Sequence, residues 1–140
     1  MRVRAVVMMM GFATMVAVGV SVALSAQAKT DEDYDKLMKA VGAANGAMRK
    51  AADPGAAAAE SKKLEALFKE VAVFWTGRSN KEAADWATAA MNQAAAISKA
   101  AGANNTEGVA AAQKELGGTC QACHGKYREK TETGYAIRKG

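Results

Sequence analysis

From Asp31 to about Thr131 apolar residues recur at three- and four-residue steps in four separate stretches, and this period dictates helices rather than strands. The first stretch, about Asp31 to Ala52, carries Tyr34, Leu37, Met38, Val41 and Met48 on one face. Acidic Asp31, Glu32 and Asp33 at its start and basic Arg49 and Lys50 at its end complement the helix dipole. Asp53-Pro54-Gly55 then reads as a break. The second, about Ala56 to Thr76, has the clearest stripe, with Leu64, Leu67, Phe68, Val71, Phe74 and Trp75 on one side and Lys62, Lys63, Lys69 and Glu70 off it. The third, about Asn80 to Ala101, has Ser79 or Asn80 as N-cap and turns Trp86, Ala90, Ile97 and Ala101 inward. The fourth starts near Asn105 or Thr106 and places Val109, Leu116, Cys120, Cys123 and Tyr127 at helical steps to about Thr131, with a loose tail beyond Gly134. Alanine runs such as Ala94 to Ala96 and Ala110 to Ala112 fit the same picture, because alanine gives up no side-chain entropy in a helix. Connections this short join antiparallel neighbours. The expected fold is therefore all-α, an antiparallel up-down-up-down four-helix bundle. Four alanine-rich helices bury little apolar area, and a large apolar cofactor would fill the gap.

Ahead of the first helix lies a targeting signal. Met1-Arg2-Val3-Arg4 supplies the positive start, Ala5 to Leu24 is uncharged, and Ala26-Gln27-Ala28 offers a small-x-small cleavage site. Residues 1–28 are expected to be removed on export, leaving residues 29–140 as one domain, with no stable membrane insertion after cleavage. An uncleaved anchor is the competing reading, since the uncharged stretch is long enough to span a bilayer, but Gly11, Thr14, Gly19 and Ser21 dilute its hydrophobicity. Loss of Arg2 and Arg4 takes the net charge from +5 to +3. That balance is too mild for nucleic acid and suits docking to an acidic protein partner.

Cys120-Gln121-Ala122-Cys123-His124 holds both cysteines and the only histidine of the chain. C-x-x-C-H is the pattern of covalent haem attachment. Positions i and i+3 of a helix face the same way, so both thiols can reach the two vinyl groups on one edge of a porphyrin, and His124 then projects under the ring as proximal iron ligand. Gly117 and Gly118, one turn earlier, leave room for a flat ring against backbone. Three other readings compete. A thioredoxin-like dithiol uses C-x-x-C, but in a strand-helix context that the sequence lacks. A structural disulfide leaves the adjacent histidine unexplained. Zinc needs a fourth ligand from elsewhere.

An export signal, four helices, and C-x-x-C-H in the last of them followed by Tyr127-Arg128 resemble the class II c-type cytochromes, the cytochrome c prime family, over essentially the whole mature chain. The resemblance implies one covalent haem c, with Arg128 near its propionates, a role that suits a bidentate cation. It also divides members by the opposite face of the iron, which is either open to small gases or closed by a first-helix methionine. The candidates are Met38, Met48 and Met91. His124 lies about seven residues before the end of its helix and Met38 about seven after the start of its own, roughly 10 Å each, so the two share a level in an antiparallel pair. Met48 would lie roughly 15 Å deeper and reads as core, and Met91 is the runner-up. Leu37-Met38-Lys39 resembles the low-spin members, although Tyr34 and Asp35 stand where such members often carry an arginine. Trp75 and Trp86 fall on apolar stripes and read as core.

These readings make the chain a periplasmic electron-transfer haem protein and not an enzyme, with His124 and Met38 as axial ligands and redox proteins as partners. The alternatives are a five-coordinate protein that binds nitric oxide or carbon monoxide, and a haem-free thiol-disulfide oxidoreductase. Alanine-rich outer faces permit a homodimer without requiring one.

Overall fold

A computed structural model describes residues 30–139; the expected export signal at residues 1–28 lies outside the described residues. Four helices dominate it: α1 (Asp31–Arg49), α2 (Pro54–Gly77), α3 (Lys81–Gly102) and α4 (Thr106–Tyr127). Each begins at a side-chain cap that satisfies a backbone donor the helix itself leaves without a partner. Thr30 and Asp33 form a reciprocal capping box on α1. Asp53 accepts from Ala56 N at 2.8 Å, Asn80 from Ala83 N at 3.0 Å and Asn105 from Gly108 N at 2.9 Å. The Asp53-Pro54-Gly55 segment is thus the opening of α2 rather than a loop between helices. Proline at the first helical position lacks only an N–H that would find no partner there.

Helix α2 packs on both α1 and α3, and α3 packs on α4, while α1 and α4 make no extensive contact. Ala83, Ala87, Ala90, Ala94 and Ala101 form the buried stripe of α3, and their small side chains let its neighbours approach closely. Leu64 and Ile97 fill the centre with no exposure at all. Leu37, Val41, Ala44 and Met48 of α1 complete the core with Phe68, Val71, Phe74 and Trp75 of α2. On α4 only Leu116 is buried; Val109, Cys120, Cys123 and Tyr127 on the same expected stripe are half-buried. That helix is covered by α3 on one flank and left open on the other. No helix among the described residues is long and apolar enough to cross a membrane.

The end of the chain departs from expectation. Helix α4 stops at Tyr127 rather than near Thr131, and the tail is ordered as a hairpin of β1 (Arg128–Lys130) and β2 (Tyr135–Ile137), paired antiparallel with Arg128 opposite Ile137. Three interactions fix it. Arg138 N donates to Tyr127 O at 2.8 Å, the Arg138 guanidinium donates to the carbonyls of Gly125 and Arg128, and Ile137 packs on the core. The hairpin therefore satisfies carbonyls that the end of α4 leaves free, which a loose tail would leave to water. Gly134 closes the turn at a φ of 155°, a backbone conformation that side chains disfavour.

Candidate functional site

Cys120, Cys123 and His124 lie on the last two turns of α4, all half-buried. Their direction follows from how α4 is held. A Cβ on Gly108 would touch Ala100 of α3, and Lys126 pairs with Glu82 of α3 at 2.5 Å, so the flank carrying residues 108 and 126 faces α3. His124 stands about 160° around the helix from Lys126, at 100° per residue, with Gly117 and Cys120 on its side. This is the flank that α3 does not cover. Gly117 and Gly118 have open space where a Cβ would stand. Each glycine costs a helix interior about 1 kcal/mol relative to alanine. Gly117 lies on the His124 side of the helix and keeps the surface beside Cys120 bare, whereas Gly118, about 160° around from Cys120, faces away from it.

On the α1 side of this flank stands Tyr34. Burial pushes its hydroxyl up to about 12, and the charge of a Cys123 thiolate would add to the rise, which puts the two side chains close together. Tyr34 stacks on Phe74 with ring centroids 4.4 Å apart, and its hydroxyl accepts from Trp75 Nε1 at 3.3 Å. Trp75 in turn lies 5.2 Å from Tyr127, which lies 5.9 Å from Trp86. The Tyr127 hydroxyl reaches the Glu82 carboxylate at 2.7 Å. Five aromatic rings from all four helices thus wall one end of the fold beside the cysteines. Trp75 is buried as core, whereas Trp86 is half-buried at the α3–α4 boundary.

Burial also sets the chemistry of the site. It raises the Cys120 thiol, and it takes Cys123 up to about 11 with help from the neighbouring thiol and from Glu82. Both cysteines are free thiols. At neutral pH they stay protonated, the opposite of the lowered thiol that disulfide exchange exploits. Burial, and secondarily the Arg128 cation, hold the His124 imidazole below its ordinary value. It is therefore neutral and able to donate a nitrogen lone pair to a metal. Among the described residues, no group of three or more His, Cys, Asp or Glu side chains is placed to hold a metal ion directly.

The three methionines separate clearly. Met38 is half-buried on α1, one turn beyond Tyr34, and packs against the core. Met48 is 3% exposed, within the core. Met91 lines a shallow surface groove with Ala72, Val73 and Thr76, between α2 and α3, away from the flank that carries His124. Arg128 is the first residue of β1 and exposed, its guanidinium 4.2 Å from the centre of the Tyr135 ring. Tyr34 falls on the apolar stripe of α1 one turn before Met38, whereas no pattern in the sequence announces the return of Arg138 onto α4.

No protein-family model, curated protein or solved structure matches this chain.

Proposed function

We propose that this chain is an exported c-type cytochrome of the class II kind, carrying single electrons between redox proteins of the periplasm. One observation carries the reading. Cys120, Cys123 and His124 are half-buried at the end of α4, Cys120 and His124 turn toward the flank that α3 does not cover, and Gly117 on that side has open space where a side chain would stand. These residues fit a haem. Cys120 and Cys123, one turn apart, would hold it through thioether bonds, and His124, neutral in its half-buried position, would bind the iron.

A haem so held supplies a one-electron iron couple. The chain's own residues do the rest. Met38, half-buried on α1 one turn beyond Tyr34, would be the second residue to hold the iron, through a soft sulfur that favours the reduced state. The packed rings of Tyr34, Phe74, Trp75 and Tyr127 would supply an apolar wall on the Cys123 side. Arg128, close enough to His124 to lower its pKa, would face the propionates. The four helices are read as an up-down-up-down bundle. Three contacts support this: Arg78 at the end of α2 pairs with Asp31 at the start of α1, Ser98 bonds Ala58, and Lys126 at the end of α4 pairs with Glu82 at the start of α3. Residues 1–28 are read as the cleaved export signal.

Absorption spectra test the ligation. The mature holoprotein is expected to be low-spin with a methionine-to-iron charge-transfer band that Met38→Ala abolishes. A high-spin wild-type spectrum that responds at once to added nitric oxide or carbon monoxide would make the chain a gas binder instead.

A further inference from the structure

The charge of the chain is unevenly placed. Residues 29–123 carry twelve basic and twelve acidic side chains, whereas residues 125–139 carry five basic and two acidic. All of the +3 that remains after residues 1–28 are removed therefore resides in the last turn of α4 and the hairpin, directly after His124. Along the body of the fold the cations are often neutralised locally, as in Lys36–Glu32, Lys39–Asp35, Lys63–Glu60 and Lys81–Asp85. In the hairpin they are not. Arg128 stacks on Tyr135, Arg138 donates to two backbone carbonyls, and Lys130 and Lys139 are exposed; none of these four forms an ion pair among the described residues.

The position of this charge matters as much as its sign. Strand β1 continues from α4 and β2 touches α1, so the hairpin bridges the two helices that leave the site uncovered. Its strand pairing, the Arg138 bonds and the seating of Ile137 hold it as a fixed surface. A body with balanced charge and one basic edge has a dipole, and such a dipole orients an oppositely charged partner before contact.

We propose that the hairpin Arg128–Ile137, with Arg138 and Lys139, is the docking surface for an acidic protein partner. It delivers that partner to the edge of the fold where the electron enters or leaves. This rests on the electron-carrier reading above, although the binding surface itself does not require it.

The test uses the mature holoprotein and immobilised poly-L-glutamate as a stand-in for an acidic protein surface. Lys130→Glu with Lys139→Glu reverses two exposed charges that form no ion pair among the described residues. Lys62→Glu with Lys69→Glu makes the same change in net charge on α2. At about 20 mM ionic strength the hairpin variant is expected to bind roughly tenfold more weakly than wild type and the α2 variant less than twofold more weakly, with all three converging near about 0.5 M salt. Equal weakening of both variants, or a hairpin variant that binds like wild type, overturns the proposal. So does wild-type protein that prefers phosphatidylglycerol vesicles to poly-L-glutamate, since the surface would then be a lipid one. Failure of the carrier reading is visible separately: protein that binds poly-L-glutamate through the hairpin yet contains no covalent haem keeps the surface and loses the redox role.

Discussion

Replacing Leu116 by alanine probes how the site-bearing helix is held. Leu116 is 3% exposed and is the one buried side chain of α4, whereas α2 contributes six. Truncating a buried leucine removes its transfer free energy and leaves a cavity, about 2–5 kcal/mol in all. A value of about 3 kcal/mol, inside that range, is expected. Against a total stability of about 5–15 kcal/mol for a domain of this size, that is a large fraction. It should lower the melting temperature by roughly 10–15 °C. The loss should also be local. In haem-free Cys120→Ser/Cys123→Ser protein, Leu116→Ala is expected to speed amide hydrogen exchange over residues 114–127 far more than over α2 or α3. Leu64→Ala, which empties a fully buried position in α2, should speed exchange throughout. If the two variants give the same exchange pattern, or if Leu116→Ala costs less than about 1 kcal/mol, α4 is not the weakly held element described here.

Two further outcomes follow from the titrating groups. Phenolate absorbance of the folded protein should retain one tyrosine un-ionised beyond pH 11, with Tyr34→Phe removing that late phase, since burial takes Tyr34 to about 12; a titration unchanged by Tyr34→Phe would contradict the placement. For His124 the folded pKa lies below the unfolded one, so its contribution is fully present above the unfolded value and is lost as pH falls toward the folded value. The melting temperature of the haem-free protein should therefore drop more steeply from about pH 7.5 to about pH 5.5 than that of its His124→Gln variant, and parallel curves would refute the assignment.

Much of this fold can be read from the residues. The Leu64, Phe68, Val71 and Trp75 stripe identifies the buried face of α2, and Asn80 caps α3 as its position suggests. Where expectation and structure part, the reason is local chemistry. Asp53 and Pro54 read as a break because proline ends helices more visibly than it begins them, yet the Asp53 cap and the Pro54 ring are what open α2. The hairpin is not legible in the sequence, because Arg128-Glu129-Lys130 has no apolar alternation. Its stability comes from Arg138, ten residues on, reaching back to the carbonyls of Gly125 and Arg128, and such a contact leaves no periodic trace. The site divides in the same way. Cys120, Cys123 and His124 stand out by spacing alone, but the uncovered flank of α4, the proximity of Tyr34 and the turning of Met91 toward α2 depend on how whole helices pack. The Met38 assignment lies between these, since helix length supplies its level and packing decides its direction.

Whether Cys120 and Cys123 carry haem, as proposed, is decided by the intact mass of the mature chain, expressed with the haem-attachment machinery, together with its pyridine haemochrome spectrum. The expected product is a chain beginning at Lys29, heavier by one haem that survives denaturation, with a bis-thioether haemochrome lost in Cys120→Ser/Cys123→Ser. A mature chain of unmodified mass, with both thiols free to alkylation, would contradict the proposal.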